Sequence, residues 1–273
     1  MQNEGGKILT EQEFLEVYNP EIYSKPSVTT DIVTLKMEKK EKVNIKVLLV
    51  KRRNHPAKDL WALPGGFVSL EESTEECARK KLKEKTGLGD IYMEQLYTFS
   101  NPMRDPRMRI ISISYLAMMS DNEFDPVPDA KWFDLELITE SGTKKKMKLT
   151  NAELEIGIEY TITEEYEKNG IVGMKKMCIN KSNESNESLA FDHAEIIYTA
   201  IERIKGKCMY TPILFNLMPD TFTIPQLQEV FEWFLGKKPH NTLFRKQMEN
   251  MITKVQGKSR KSKRPAQLYK YGK

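Results

Sequence analysis

The sequence predicts an α+β chain of two parts: a mixed β-sheet domain with helices, then a C-terminal winged helix-turn-helix. Three observations predict this. β-rich runs and amphipathic helical stretches intermingle up to about residue 207. Two short capped helices and a β-hairpin pattern then close the chain. Charge divides along the same line. From Lys237 to Lys273 there are twelve Lys and Arg against the single acid Glu249, a balance of +11, which leaves 31 basic and 38 acidic residues, −7, on the rest. A basic block on an acidic body points to a nucleic-acid partner, or to a solvated tail if the block has no folded pattern.

The 273 residues suit two domains, 1–207 and 208–273. With 39% hydrophobic and 30% charged residues the composition is that of a globular protein. No apolar run reaches the ~18 residues of a membrane span. "MQNEGGKILTEQEF" contains no apolar signal core, so a cytoplasmic protein without a membrane partner is expected. Cys77, Cys178 and Cys208 show neither zinc nor disulfide spacing.

"LTEQEFLEVYNP" carries a capping signal at Thr10 and stops at Pro20, a short helix. "SVTTDIVTLKM" and "KVNIKVLLVKRR" read as strands of a hairpin. After the glycine turn of "WALPGGFV", Ser73 or Thr74 caps a helix running to about Thr86, which Gly87 stops. "IYMEQLYTFS", "MRIISISYLAMM" and "KWFDLELI" read as further strands, the second central because it is continuously apolar. Residues 147–179 read as two strands around an Asn169-Gly170 turn, a hairpin insertion. "AFDHAEIIYTAIERIKGK" is an amphipathic helix with Ile196, Ile197, Ala200, Ile201 and Ile204 on one face.

In the basic block, Thr223 and Gln226 form a capping box and Leu227, Val230, Phe231 and Phe234 recur at helical spacing. Gly236 ends that helix, and Asn241 or Thr242 caps a second whose Phe244, Met248, Met251 and Ile252 face inward. "KVQGKSRKSKRPAQLYKY" reads as a hairpin with a basic tip, a wing. Thr242, Arg245, Lys246 and Gln247 are candidates for the major groove. Lys258, Arg260, Lys261, Lys263 and Arg264 are candidates for the backbone or minor groove. The bland alternative is a solvated basic hairpin.

Diphosphate cleavage needs a cation held by oxygen ligands, chiefly carboxylates. Residues at i, i+3 and i+4 share one helix face, and here they are Lys81, Glu84 and Lys85. One acid between two ammonium groups is a poor Mg²⁺ site. Two readings of these lysines stay open: a solvated face pairing with Glu76 and Glu84, or an internal cation that binds a diphosphate without cleaving it. "SNPMRDPRMRIISISYL" places Arg104, Arg107 and Arg109 before a central strand, and arginine forks suit phosphates and carboxylates; the alternative is a surface turn with a basic rim.

The stretch from Ala62 to Leu88 resembles the Nudix hydrolase signature. Gly66, Glu72, Leu82, Glu84, Gly87 and Leu88 fall on its conserved positions in one frame. Lys80 stands for its arginine, Lys81 for its catalytic glutamate and Lys85 for its second paired glutamate, leaving Glu84 as the one metal ligand of three. The resemblance implies an α/β/α sandwich with a mixed sheet. The arginine run resembles a segment of Nudix proteins that handle ADP-ribose-type nucleotides. Over nearly the whole chain, through "KPSVTTDIV", "LAFDHAEII" with His193, "FTIPQLQEVFEWFLGK", "FRKQM" and "KRPAQLYKY", the sequence resembles the Nudix-related transcriptional regulators. That resemblance implies a regulator binding operator double-stranded DNA, with a nucleotide-sugar or sugar-phosphate effector such as ADP-ribose, for which Lys81, Lys85, Arg104, Arg107 and Arg109 are the candidate contacts. A homodimer is expected because the single winged helix per chain offers little area and a two-fold protein reads two half-sites. No cofactor is expected. The rival reading is a Mg²⁺-dependent hydrolase of ADP-ribose pyrophosphatase type, for which Mg²⁺ would be required.

Overall fold

The computed structural model describes residues 9–39, 42–87, 91–120, 126–169, 172–259 and 266–272. After α1 (Glu11–Val17) and a short 3-10 turn, a long sheet is laid down by β1 (Ser27–Lys39), β2 (Val43–Lys51), β3 (Trp61–Ala62) and β4 (Gly65–Phe67). Then come α2 (Thr74–Thr86), β5 (Tyr92–Phe99), β6 (Ile110–Met119) and β7 (Ala130–Ser141). The strands β8 (Lys144–Asn151), β9 (Ile156–Asn169) and β10 (Val172–Lys181) follow, then α3 (His193–Lys207). The winged helix comprises α4 (Ile224–Leu235), α5 (Asn241–Met248), β11 (Ile252–Ser259) and β12 (Ala266–Tyr271).

The sheet runs β10-β9-β8-β7-β2-β1-β6-β5, with β3 on β2 and β4 on β1. Only β1 and β6 pair in parallel among the described strands; the other ladders are antiparallel, so the sheet is mixed. β1 is buried on both sides, as a central strand must be. Its alternate side chains go opposite ways: Ile32 joins Ala78 and Leu82 of α2, whereas Val33, Leu35 and Met37 join Ile197, Ile201 and Ile204 of α3. The sheet thus lies between two helical layers.

α2 begins on Ser73, which accepts from Glu76 N, while Glu76 reaches back to Ser73 N; it ends at Gly87 with φ 70°. A left-handed residue there favours glycine. The Thr223–Gln226 box likewise opens α4, and Gly236 at φ 66° closes it. α5 begins one residue earlier than the sequence predicts. His240 is its N-cap without a side-chain bond, because Asn241 Oδ1 is engaged by Gln228 Nε2 of α4 at 2.8 Å.

The region read as one hairpin over 147–179 contains three strands, extending the main sheet rather than standing off it. The missed turn lies between β8 and β9. It has no Gly or Pro; Asn151 Oδ1 instead accepts from Leu154 N at 2.9 Å, and Glu155 takes φ 56°. Gly170 of the second turn lies outside the described residues. The extension is fastened to α3 by charge: buried Lys145 donates to Glu164 at 2.7 Å and to Tyr198 Oη at 2.6 Å, and it meets Glu202 at 3.3 Å.

One apolar core runs without interruption from the sheet through α3 into Phe222, Val230, Phe231, Phe234 and Phe244. A polar latch adds to it. Glu229 of α4 accepts from Lys39 at the end of β1 and from Val43 N at the start of β2, the latter at 3.2 Å. Among the described residues no helix is long and apolar enough to cross a membrane.

A test of the extension's anchoring is Tyr160 of β9, whose hydroxyl accepts from buried Leu189 N at 2.9 Å. Tyr160→Phe leaves that amide without a partner and should cost about 1–3 kcal/mol, read as a lower urea midpoint with an unchanged slope.

Candidate functional site

A cavity of about 270 Å³ opens where β1, the glycine turn, the arginine loop and the start of α3 converge. Gly65 sits there because a Cβ would lie 2.1 Å from Thr30 O of β1; only glycine permits that approach. A Cβ on Gly66 would meet Lys81 Cε at 2.8 Å, so the stem of Lys81 runs along the glycine at the cavity's edge.

The inner wall is built around Arg104. Its guanidinium donates to both oxygens of Asp192 at 2.8 and 2.7 Å and to Asp31 Oδ2 at 3.3 Å. Its side chain is only 5% exposed. Burial disfavours its charge, but the carboxylates of Asp192 and Asp31 outweigh burial and hold its pKa above the usual value. Ser112 Oγ donates to Asp31 as well. Asp192 therefore stands at the N-cap of α3 without capping it; its oxygens are committed to arginine.

His193 Nδ1 accepts from Leu63 N at 2.8 Å, so the imidazole proton resides on Nε2, 3.5 Å from Asp31 Oδ1. Complete burial pushes the pKa of His193 down, against the pull of Asp31 and Asp192. The ring is a neutral wall of the cavity.

Two arginine–aromatic pairs complete the lining. Arg52 lies over Phe191 at 4.8 Å and donates to Pro56 O at 3.1 and 3.0 Å; burial and then the charge of Arg107 lower its pKa. Arg107 lies 5.4 Å from the Phe67 ring and forks onto Asp105 at 3.0 and 2.8 Å. Phe191 has φ 52°, an uncommon conformation for a bulky residue.

The proposed site residues thus separate. Arg104 and Arg107 line the cavity with Gly66. Arg109 is exposed and donates to Ser100 O at 2.7 Å. Lys81 pairs with Glu84 at 3.0 Å, and Lys80 meets Glu72 at 3.5 Å, which also accepts from Ser69 N. Lys85 lies near Asp129, away from the lining. Mg²⁺ does not fit this donor set: Glu84 and Glu72 are each answered by a lysine, and no group of three or more His, Cys, Asp or Glu among the described residues could hold a metal ion.

Sequence reasoning missed Asp31, Arg52, Asp105, Phe191 and Asp192. One signal was available: Asp31 is a charge inside an otherwise β-forming central run, a burial that needs a partner.

At the other end of the molecule, Phe244 and Met248 of α5 are buried while Thr242, Arg245, Lys246 and Gln247 face solvent. The wing strands pair antiparallel. Lys258 lies on β11, and Arg260, Lys261, Lys263 and Arg264 lie outside the described residues.

Residues 25–154 match the NUDIX domain family, and residues 214–271 match the NrtR DNA-binding winged helix domain. The ADPR responsive transcriptional repressor NtrR of Acinetobacter baylyi is 30% identical over 270 residues, covering 96% of this chain and 88% of that protein. The chain belongs to the NrtR family. A crystal structure of a MutT/nudix family protein from Enterococcus faecalis superposes with a TM-score of 0.72 at 31% identity, over 97% of this chain and 94% of that one. Shewanella oneidensis NrtR complexed with a 27mer DNA superposes with a TM-score of 0.63 at 29% identity, over 90% and 93%. Within this NrtR-family chain the Nudix part ends before β9, so β9, β10 and α3 lie between the two matched regions.

The buried histidine gives a pH dependence. Unfolded, His193 titrates near 6.5; folded, its pKa is lower. Its neutral form therefore contributes stability that is complete above about pH 6.5 and is lost as pH falls below it, at up to about 1.4 kcal/mol per pH unit. Urea unfolding between pH 7.5 and 5 should show this loss, and His193→Gln should remove that component.

Proposed function

We propose that this protein is a transcriptional regulator: the winged helix binds operator DNA, and the Nudix-type cavity binds a nucleotide-sugar effector of the ADP-ribose class without cleaving it. The observation that carries the reading is the combination, on one continuous core, of an exposed basic α5 with a cavity that keeps its arginine wall and lacks a metal-binding carboxylate set. The Acinetobacter baylyi relative, described as ADPR responsive, supports the effector class.

In this reading Arg107, with Lys81 at the cavity's edge, supplies the cations that meet the effector's phosphates, and Arg104, committed to Asp31 and Asp192, keeps the wall in shape. Phe67 and Phe191 offer flat apolar surface for the base or sugar. Coupling follows two elements. α3 begins at the cavity wall with His193, beside Asp192 that holds Arg104, and packs along α4; β1 passes the cavity at Asp31 and reaches α4 through Lys39 and Glu229. An effector shifts DNA affinity only by its differential affinity for the two arrangements, typically about 1–3 kcal/mol. A homodimer, with two α5 helices one helical turn apart on the duplex, supplies the second half-site. The decisive experiment is a gel shift of the chain on duplexes from its own genome, with and without ADP-ribose; no shift on any duplex overturns the regulator reading.

Turnover of ADP-ribose with Mg²⁺ should stay well below about 1 s⁻¹, an ordinary enzyme rate; formation of AMP and ribose 5-phosphate at that rate, read by chromatography, would refute the binding-only cavity. On the DNA side, Arg245→Ala should cost about 1–3 kcal/mol and relax the preference at one base pair, measured as fluorescence anisotropy across single-base operator variants. A uniform loss on every sequence would instead assign Arg245 to the phosphates.

A further inference from the structure

A second cavity, of about 510 Å³, lies inside the winged helix, where the end of α3, α4 and α5 meet. Its size is that of a small-molecule site. The floor is apolar: Phe231, Phe244 and Met248 are 4%, 2% and 5% exposed. Leu243, 58% exposed on the outer side of α5, stands at the mouth. The rim carries Lys237, Lys238 and His240, and among the described residues no carboxylate lines the cavity. Among the described residues Lys237 makes no ion pair, and Lys238 meets Glu232 only at 3.9 Å. An apolar pocket with cations on one rim is complementary to an apolar body ending in an anion.

We propose that this cavity is a second ligand site, for a small carboxylic acid with an apolar tail: the tail lies on Phe231, Phe244 and Met248, and the carboxylate meets Lys237 and Lys238. The site is separate from the Nudix cavity, which shares none of its lining. Because Gln247 lines the cavity while facing outward on α5, an occupant touches the element that meets DNA.

The test is calorimetry on the full chain, without DNA or ADP-ribose, using decanoate and decyltrimethylammonium below their micellar concentrations. Decanoate should bind saturably, one per chain, at least tenfold tighter than the cation of equal tail length. Leu243→Trp, at an exposed position, should weaken decanoate at least tenfold with an unchanged melting temperature, and Lys237→Glu with Lys238→Glu should abolish the preference for the anion. Absent or non-saturable decanoate binding, equal binding of the cation, or an unaffected Leu243→Trp variant would each overturn the proposal. So would sedimentation showing that Leu243→Trp abolishes self-association of the ligand-free chain, since the cavity would then be filled by a second copy. None of these outcomes bears on operator binding, which the gel shift reads separately.

Discussion

The pairing of Arg104 with Asp31 and Asp192 ties together three segments that are far apart in sequence: the central strand, the arginine loop and the connecting helix. All three groups are largely withdrawn from water. A charge in such a place is tolerated only when matched, and removing one partner of a buried ion pair typically costs about 3–5 kcal/mol. The rest of the cavity follows from it. Asp31, held in place, faces the Nε2 proton of His193; His193, held neutral by burial, takes the Leu63 amide; and the chain between β3 and β4 is thereby placed over the cleft.

The same withdrawal from water joins the two parts of the chain. The sheet, α3 and the winged helix are one packed body, and interiors packed to crystal density do not absorb displacement locally. Asp192 at one end of α3 and Glu229 on α4 are linked by apolar side chains throughout. The extension adds a further grip on α3 through Lys145, Glu164 and Tyr198, a buried polar network that fixes helix orientation more specifically than apolar contact would.

Much of this was legible in the sequence, wherever a local rule decides. The Thr223 box, a cap at Ser73 or Thr74, the stops at Gly87 and Gly236, the strand runs and the fusion of a sheet domain to a winged helix all follow from capping, periodicity and charge; the structure settles the first cap on Ser73. The shared face of Lys81, Glu84 and Lys85 was readable for the same reason, since helix spacing shows which side chains lie together; that the two lysines stand where the Nudix signature has glutamates came from the resemblance. What escaped depended on tertiary pairing. Asp192 looks like a helix cap and instead holds an arginine 88 residues away in sequence. The turn after β8 is made by Asn151 rather than by glycine, and the start of α5 is set by a glutamine on α4. Arginines of one short loop proved to have different surroundings, since Arg104 is enclosed in the cavity wall and Arg109 is open to solvent outside it; spacing does not distinguish the two.

The uneven placement of charge, +11 on residues 237–273 and −7 on the rest, gives the molecule an electric polarity as well as a sticky end. In the field of a polyanion the acidic body is pushed away while the basic end is drawn in, so the molecule experiences a torque before it touches anything. At physiological ionic strength this acts only within about 8 Å of the surface. Over that last distance it turns the basic end toward the duplex, so that a larger share of encounters begins in the right orientation.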